Sequence, residues 1–158
     1  MSKEAVNDLI NQYQRAIGIL YSEIERFNDS QWITGLDDFL VPVKIAYHII
    51  DCLDYYFSGK VPEDYLWGYR FGGGWWELPE DRQPDKAAVS AYLHEVEARI
   101  IDELNSLMDE DLLRPFTLDE CARSVLGHYI YALRHTMHHH GELAAVSVFH
   151  KNAGGDWM

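Results

Sequence analysis

The chain has 158 residues, of which 47% are hydrophobic and 25% charged, and its formal net charge is −13. This length predicts one domain, residues 1–158, whose core needs no disulfides. The negative charge argues against nucleic acid or an anionic membrane surface as a partner, since binding to either relies on Lys and Arg. Two cysteines in apolar stretches, no apolar run of about 20 residues and no signal peptide favour a cytoplasmic protein.

The first half of the chain predicts two amphipathic helices. Apolar side chains at three- and four-residue steps mark a first helix from about Val6 to Phe27, which Asn28 and the polar residues after it end. A second helix follows Pro42, a residue that the first turn of a helix tolerates, and it stops near Gly59. Its inner face carries one histidine among apolar neighbours, in the stretch VPVKIAYHIID.

The second half predicts two more helices. The third begins at about Asp85, which is a good N-cap, and the fourth begins at Thr117–Glu120, whose spacing matches a capping box. Because no stretch alternates with the period of a strand, we predict an all-α fold, a four-helix bundle. The segment from Gly59 to Pro84 is much longer than usual bundle connections and predicts a crossover loop between helices two and three. The helices then follow an up-down-down-up order.

The crossover segment contains LWGYRFGGGWWELP, a stretch dense in Trp, Tyr and Gly. A long aromatic loop either packs over the end of a bundle or forms a lid over a pocket. Packing explains most such rings, although three consecutive glycines permit movement. If there is a pocket, the candidate wall residues are Tyr47, Trp75, Trp76 and Tyr131.

The stretch RHTMHHHGEL places four histidines in the fourth helix. On a helix that turns about 100° per residue, His135 and His139 share one narrow stripe and lie one turn apart. This spacing lets two imidazoles bind one metal ion, and His48 on the second helix is a third candidate ligand. His138 and His140 point in other directions, and we predict that both are partly exposed.

Spacing alone leaves other interpretations open. A single histidine on an apolar face, such as His48, is usually a core residue, and an HxxxH pair arises by chance in a chain with eight histidines. His128 lies two turns before the pair, too far along the helix axis to join the ligand set. Glu142, three residues after His139, is placed to orient a ligand. Asp51 is better explained as an exposed acid on the helix surface.

These motifs resemble those of the DinB/YfiT-like family of four-helix-bundle metalloenzymes. HTMHHHGEL is similar to the family's helix-four pattern, and VPVKIAYHII is similar to its helix-two pattern with one inward histidine. The resemblance implies that His48, His135 and His139 bind a divalent cation, often nickel or zinc, and that the protein is a homodimer. The chain departs from the pattern at His140, where a basic residue such as Arg is common, and at Glu142, where Gln is common.

The resemblance also implies, for some relatives, thiol-dependent transferase or isomerase activity with a low-molecular-weight thiol. The first hypothesis is therefore a metal-dependent enzyme that activates a thiol or water for attack on a small-molecule electrophile. Cys52 is a conceivable nucleophile or fourth ligand, but a core cysteine explains it better. The alternative is a stress-response protein that binds metal or a small ligand without catalysis. A third hypothesis is a metal-free, pH-responsive bundle, since inward histidines become charged near about pH 6.

Overall fold

The computed structural model describes residues 2–152, and most of these residues are helical. The helices are α1 (Glu4–Arg26), α2 (Asp29–Trp32), α3 (Pro42–Tyr56), α4 (Lys86–Ser106) and α5 (Val125–Phe149). Over residues 2–152 the only β structure is an isolated bridge between Pro115 and Ser124, so the predicted all-α class is confirmed. None of the helices in this range is long and apolar enough to cross a membrane. Residues 1 and 153–158 of the predicted domain lie outside the described residues.

The four long helices share one core. α3 packs against α4 and α5, and α1 packs against the same two helices. Each long helix contributes side chains that are almost completely buried, including Leu20, Ile24, Ile49, Leu53, Val96, Ile100, Leu143 and Val146. Burying one such side chain contributes about 1.5–3 kcal/mol to stability. The core therefore fixes α3 beside α5, the two helices that carry the predicted metal ligands.

The two predicted caps have different outcomes. Asp85 caps α4 as predicted, because its carboxylate accepts a backbone N–H of the first turn at 2.8 Å. The predicted capping box at Thr117–Glu120 is wrong, because α5 begins at Val125 and its N-cap is Ser124. The Ser124 hydroxyl accepts the backbone N–H of Gly127 at 3.1 Å.

Competing hydrogen bonds explain the later start of α5. Asp119, inside the predicted box, accepts the backbone N–H of Cys121 at 3.0 Å and the hydroxyl of Tyr55 at 2.8 Å. The backbone N–H of Val125 donates to the Arg114 carbonyl at 3.0 Å and closes the residues between them into a turn. The polar residues before α5 therefore stabilise a turn, and the helix begins only after it.

The segment between α3 and α4, residues 57–85, contains two short 3₁₀ turns, Pro62–Asp64 and Glu80–Arg82. Gly68 lies at its centre with φ +73°, and a Cβ atom there would be 2.3 Å from the backbone of Gly73. Glycine is required at this position because two stretches of backbone meet. Residues 57–85 thus join α3 to α4 without an intervening α-helix.

Candidate metal centre

The three predicted ligands meet between two helices. His48 lies on α3, and His135 and His139 lie one turn apart on α5. Nε2 of His139 is 3.1 Å from Nε2 of His48 and 3.2 Å from Nε2 of His135. Nitrogen ligands bound about 2.0–2.1 Å from a tetrahedral zinc ion are separated by about 3.3 Å, close to these distances. The structure thus brings together the residues that the sequence selected.

The protonation states of these rings fit a bound cation. Nδ1 of His139 donates to Oε2 of Glu142 at 2.6 Å, so the Nε2 atom of the neutral ring carries only a lone pair. One lone pair accepts one hydrogen bond, yet the Nε2 atoms of both His48 and His135 lie within hydrogen-bonding distance of it. A single cation between the three nitrogens would resolve this conflict. Three imidazoles with an open position are a common zinc ligand set.

Burial keeps two of the three rings neutral. Burial, and then the charge of neighbouring imidazoles, lowers the pKa of His48 to about 3 and the pKa of His135 to about 4. A histidine binds a metal ion only in its neutral form, because the ligand nitrogen has to be free of its proton. Near neutral pH, His48 and His135 therefore release no proton when they bind a cation.

Cys52 lies one turn after His48 and borders the site. Single ligand atoms of His48, Cys52 and His135 lie within 4.8 Å of one another. The Cys52 sulfur is 3.6 Å from Nδ1 and 3.9 Å from Nε2 of His48. These near-equal distances place the sulfur beside the ring, because a contact in line with one nitrogen would leave the other much farther away. Burial also raises the pKa of the Cys52 thiol and so favours its neutral form. Cys52 thus packs against a candidate ligand here.

Glu142 contacts His139, as the spacing predicted, and it also lies 3.5 Å from Nε2 of His138. These three residues form a second group with metal-binding potential. However, the two ring nitrogens of His139 face different partners, Nδ1 towards Glu142 and Nε2 towards His48 and His135. Glu142 therefore acts as a hydrogen-bond acceptor that fixes the ring of His139. The predicted exposure of His138 is confirmed.

Asp51 was predicted to be an exposed acid, and that prediction is wrong. Its side chain is completely buried and accepts hydrogen bonds from the hydroxyls of Tyr65 and Tyr92 and from the backbone N–H of Gly68. Burial raises the pKa of this carboxyl, although the three donors oppose the shift. The aromatic segment, residues 65–78, folds over this face of α3, which helical periodicity alone does not reveal.

The predicted partial exposure of His140 is also wrong. The residue is completely buried, neither of its ring nitrogens has a hydrogen-bond partner within the described residues, and burial lowers its pKa to about 4. The reason is that α5 packs against α1 as well as α3, so it is covered on two faces. His128, which the spacing excluded from the ligand set, instead contacts the backbone carbonyl oxygen of Tyr56 through Nε2 at 2.8 Å.

Aromatic rings contact two of the three histidines, His48 and His135, and only some of these rings are the predicted ones. The ring of Trp75 lies 4.8 Å from that of His48, and the exposed Trp76 contacts Trp75. Tyr47 is buried elsewhere, and its hydroxyl donates to the Gly73 carbonyl at 3.0 Å.

Tyr131 reaches the site only through another ring that the pocket prediction missed. Tyr131 contacts Tyr56 with ring centroids 5.7 Å apart, and Tyr56 contacts the ring of His135 at the same distance. Tyr56 lies two turns after His48 on the inner face of α3. That periodicity was the signal that could have identified it.

No curated protein and no solved structure is significantly similar to this chain. A family model does match residues 12–143, a span that includes all three candidate ligands as well as Glu142. The match covers most of the chain and both helices of the site. The chain therefore belongs to the DinB superfamily.

Proposed function

We propose that His48, His135 and His139 bind a divalent cation, nickel or zinc, and that the protein is a metal-dependent enzyme acting on a small molecule. The observation that carries this proposal is the convergence of three Nε2 atoms, with Glu142 fixing the central ring. Membership of the DinB superfamily supports it. A divalent cation with an open position lowers the pKa of a bound thiol or water towards neutrality.

The proposed reaction is transfer of a low-molecular-weight thiol to an electrophile, as in a thiol-dependent transferase or isomerase. Trp75 against His48 and Tyr56 against His135 supply aromatic walls beside the ligands. Glu142 accepts the Nδ1 proton of His139 and holds that ring in place. These contacts hold the ligand rings in place, which is the role that this chain's own residues would have in the proposed reaction.

Thiol consumption tests this reaction class. Protein supplied with nickel or zinc is mixed with cysteine and chlorodinitrobenzene, and the loss of free thiol is followed. We expect consumption above the protein-free rate in wild type and in His138→Ala, whose exposed ring is a matched control on α5. We expect none above that rate in His139→Ala. Equal consumption in wild type and His139→Ala would exclude this site as the catalyst.

A second candidate function is non-catalytic binding of metal or a small ligand in a stress response. A cavity of about 280 Å³ favours it, with mostly apolar walls that include Phe57, Leu107, Phe116 and Tyr129. Tyr56 lines the same cavity and contacts His135. Binding of an apolar fluorophore that Leu107→Trp abolishes, with no thiol consumption in wild type, would favour this function over the enzyme.

We also propose that the long helices form a single-domain bundle in up-down-down-up order, and that the protein is a cytoplasmic homodimer. The packing of both α1 and α3 against α4 and α5 supports the bundle.

The dimer rests on the family resemblance. Sedimentation at the mass of one chain, 18.3 kDa, would exclude it. The net charge of −13 supports a protein without nucleic-acid or membrane partners.

A further inference from the structure

A cysteine–histidine pair lies outside the candidate metal centre. Sγ of Cys121 is 3.7 Å from Nδ1 of His128, and Nε2 of His128 is 2.8 Å from the backbone carbonyl oxygen of Tyr56. A carbonyl oxygen only accepts hydrogen bonds, so Nε2 carries the ring proton and Nδ1 presents its lone pair to the thiol. Cys121 therefore donates its S–H to a neutral imidazole.

The imidazole is held firmly in this orientation. His128 is only 5% exposed, and its ring stacks on Phe116 with centroids 4.0 Å apart and an interplanar angle of 16°. The ring of Tyr56 packs edge-on against it. A nucleophile, a base and an acceptor that orients the base are thus aligned, which is the arrangement that activates nucleophiles in covalent catalysis.

The thiol of this pair is the more accessible of the two cysteines. Cys121 is partly exposed in the turn before α5, where its backbone N–H donates to Asp119 at 3.0 Å. Its chain neighbours Glu120 and Ala122, although not Cys121 itself, line a surface cavity of about 520 Å³ beside this turn. Cys52, in contrast, is buried in the core with 5% exposure.

The charges around the pair determine how it reacts. Burial and the carboxylate of Asp119 raise the pKa of the Cys121 thiol, and burial lowers the pKa of His128. The resting pair is therefore a neutral thiol beside a neutral imidazole, with little free thiolate. Attack by the sulfur requires that its proton move to Nδ1 in the same step, which is general-base catalysis.

We propose that Cys121 is a metal-independent modification site that exchanges with low-molecular-weight disulfides, with His128 as its base. Sγ of Cys121 attacks one sulfur of the disulfide while the thiol proton passes to Nδ1 of His128. A new S–S bond joins Cys121 to half of the reagent, the original S–S bond breaks, and the leaving thiolate takes the proton from His128. The products are a mixed disulfide and one free thiol, and the small disulfide is the oxidant.

Reaction with dipyridyl disulfide identifies the site. We expect native wild type and Cys52→Ser to release about one equivalent of pyridinethione per chain at the same rate, with the adduct on Cys121 by intact and peptide mass. Cys121→Ser should release none on that timescale. His139→Ala should react like wild type, because the exchange does not use the candidate metal centre. Release from Cys121→Ser at the wild-type rate would overturn the proposal.

The role of His128 needs a variant that keeps its structural contact. His128→Gln retains a donor for the Tyr56 carbonyl but has no base, so we expect the reaction at Cys121 to slow about tenfold or more in protein that circular dichroism shows to be folded. Added imidazole should restore the rate in His128→Ala, a rescue that a purely structural role would not give. A wild-type rate in His128→Gln would show that His128 is not the base. If His128→Ala does not fold, His128→Gln alone decides.

Discussion

At the scale of single residues, His139 is the centre of the candidate site. Its Nε2 contacts the Nε2 atoms of His48 and His135, and its Nδ1 contacts Glu142 at 2.6 Å. A carboxylate on the second nitrogen fixes the orientation of a ligand ring and raises its basicity. Gln, which the family pattern has at the position of Glu142, offers the same acceptor without the charge. Substitutions at this position therefore separate the hydrogen bond from the charge.

We expect Glu142→Ala to weaken metal binding by about 10–100-fold, because the ring of His139 loses the partner that orients it. Glu142→Gln should fall between wild type and Glu142→Ala, since its amide oxygen still accepts from Nδ1. Competition with a chromophoric chelator measures the affinity. His138→Gln is the matched control, because that exposed ring lies against Glu142 and His139 but is not itself one of the three candidate ligands. Identical affinities for wild type and Glu142→Ala would show that Glu142 has no orienting role.

The candidate ligands were predictable because helical spacing places His135 and His139 on one stripe and leaves His48 alone on the inner face of α3. Asp51 and His140 were not predictable in this way. The environment of each depends on tertiary packing: the aromatic segment covers Asp51, and α5 packs against both α1 and α3 where His140 is buried. Periodicity gives the direction of a side chain around its own helix, but it does not say what covers that direction.

At the scale of secondary-structure elements, the start of α5 shows how local signals compete. The four helices and the cap at Asp85 were predictable from apolar periodicity and one acidic side chain. The capping-box pattern at Thr117–Glu120 failed because Asp119 binds Tyr55 on α3 and the backbone of its own turn. The hydrogen bond between Tyr55 and Asp119, residues far apart in sequence, thus favours the cap at Ser124 over the capping box at Thr117–Glu120.

Removing the real cap should destabilise the protein, and removing the false one should not. We expect Ser124→Ala to lower the free energy of unfolding by about 1 kcal/mol, because the N–H of Gly127 loses its acceptor. Thr117→Ala should change it by less than about 0.5 kcal/mol. Urea unfolding followed by circular dichroism measures both. A larger loss in Thr117→Ala than in Ser124→Ala would contradict the helix start at Val125.

The aromatic segment gives a second prediction at this scale, on the two glycines Gly68 and Gly72. Both have positive φ angles, +73° and +76°, but a Cβ atom on Gly68 would clash with the backbone of Gly73, whereas one on Gly72 would meet no atom within 4 Å. We expect Gly72→Ala to cost about 1–2 kcal/mol through backbone strain alone.

Gly68→Ala should cost more than Gly72→Ala, because it adds the clash and displaces the N–H that donates to Asp51 at 3.1 Å. Urea unfolding of the two variants side by side gives the comparison. Faster proteolysis within residues 65–78 of Gly68→Ala would locate the damage in the aromatic segment. Equal losses of stability in the two variants would mean that the close approach of Gly68 to Gly73 contributes nothing.

At the scale of the whole molecule, buried histidines link the stability of the metal-free protein to pH. The pKa is lowered to about 3 for His48 and to about 4 for His135 and His140, against about 6.5 in an unfolded chain. Between these values the unfolded chain binds protons that the folded chain does not. The free energy of unfolding contributed by these groups is therefore fully present above about pH 6.5 and falls as pH drops towards about 4.

We expect metal-free protein to lose stability steadily from about pH 7 to about pH 5, as measured by urea unfolding at each pH. His140→Leu should reduce the slope, because one group that takes up a proton on unfolding is gone. Stability that is constant across this range would contradict the buried, neutral state of these histidines.

The metal content of the purified protein tests the three-histidine site most directly. Wild type, His48→Ala, His135→Ala, His139→Ala and the control His138→Ala are offered nickel or zinc, dialysed and subjected to elemental analysis. We predict about one ion per chain in wild type and His138→Ala, and almost none in the other three variants. Wild type without metal, or His135→Ala and His139→Ala that retain it, would contradict a metal centre at these residues.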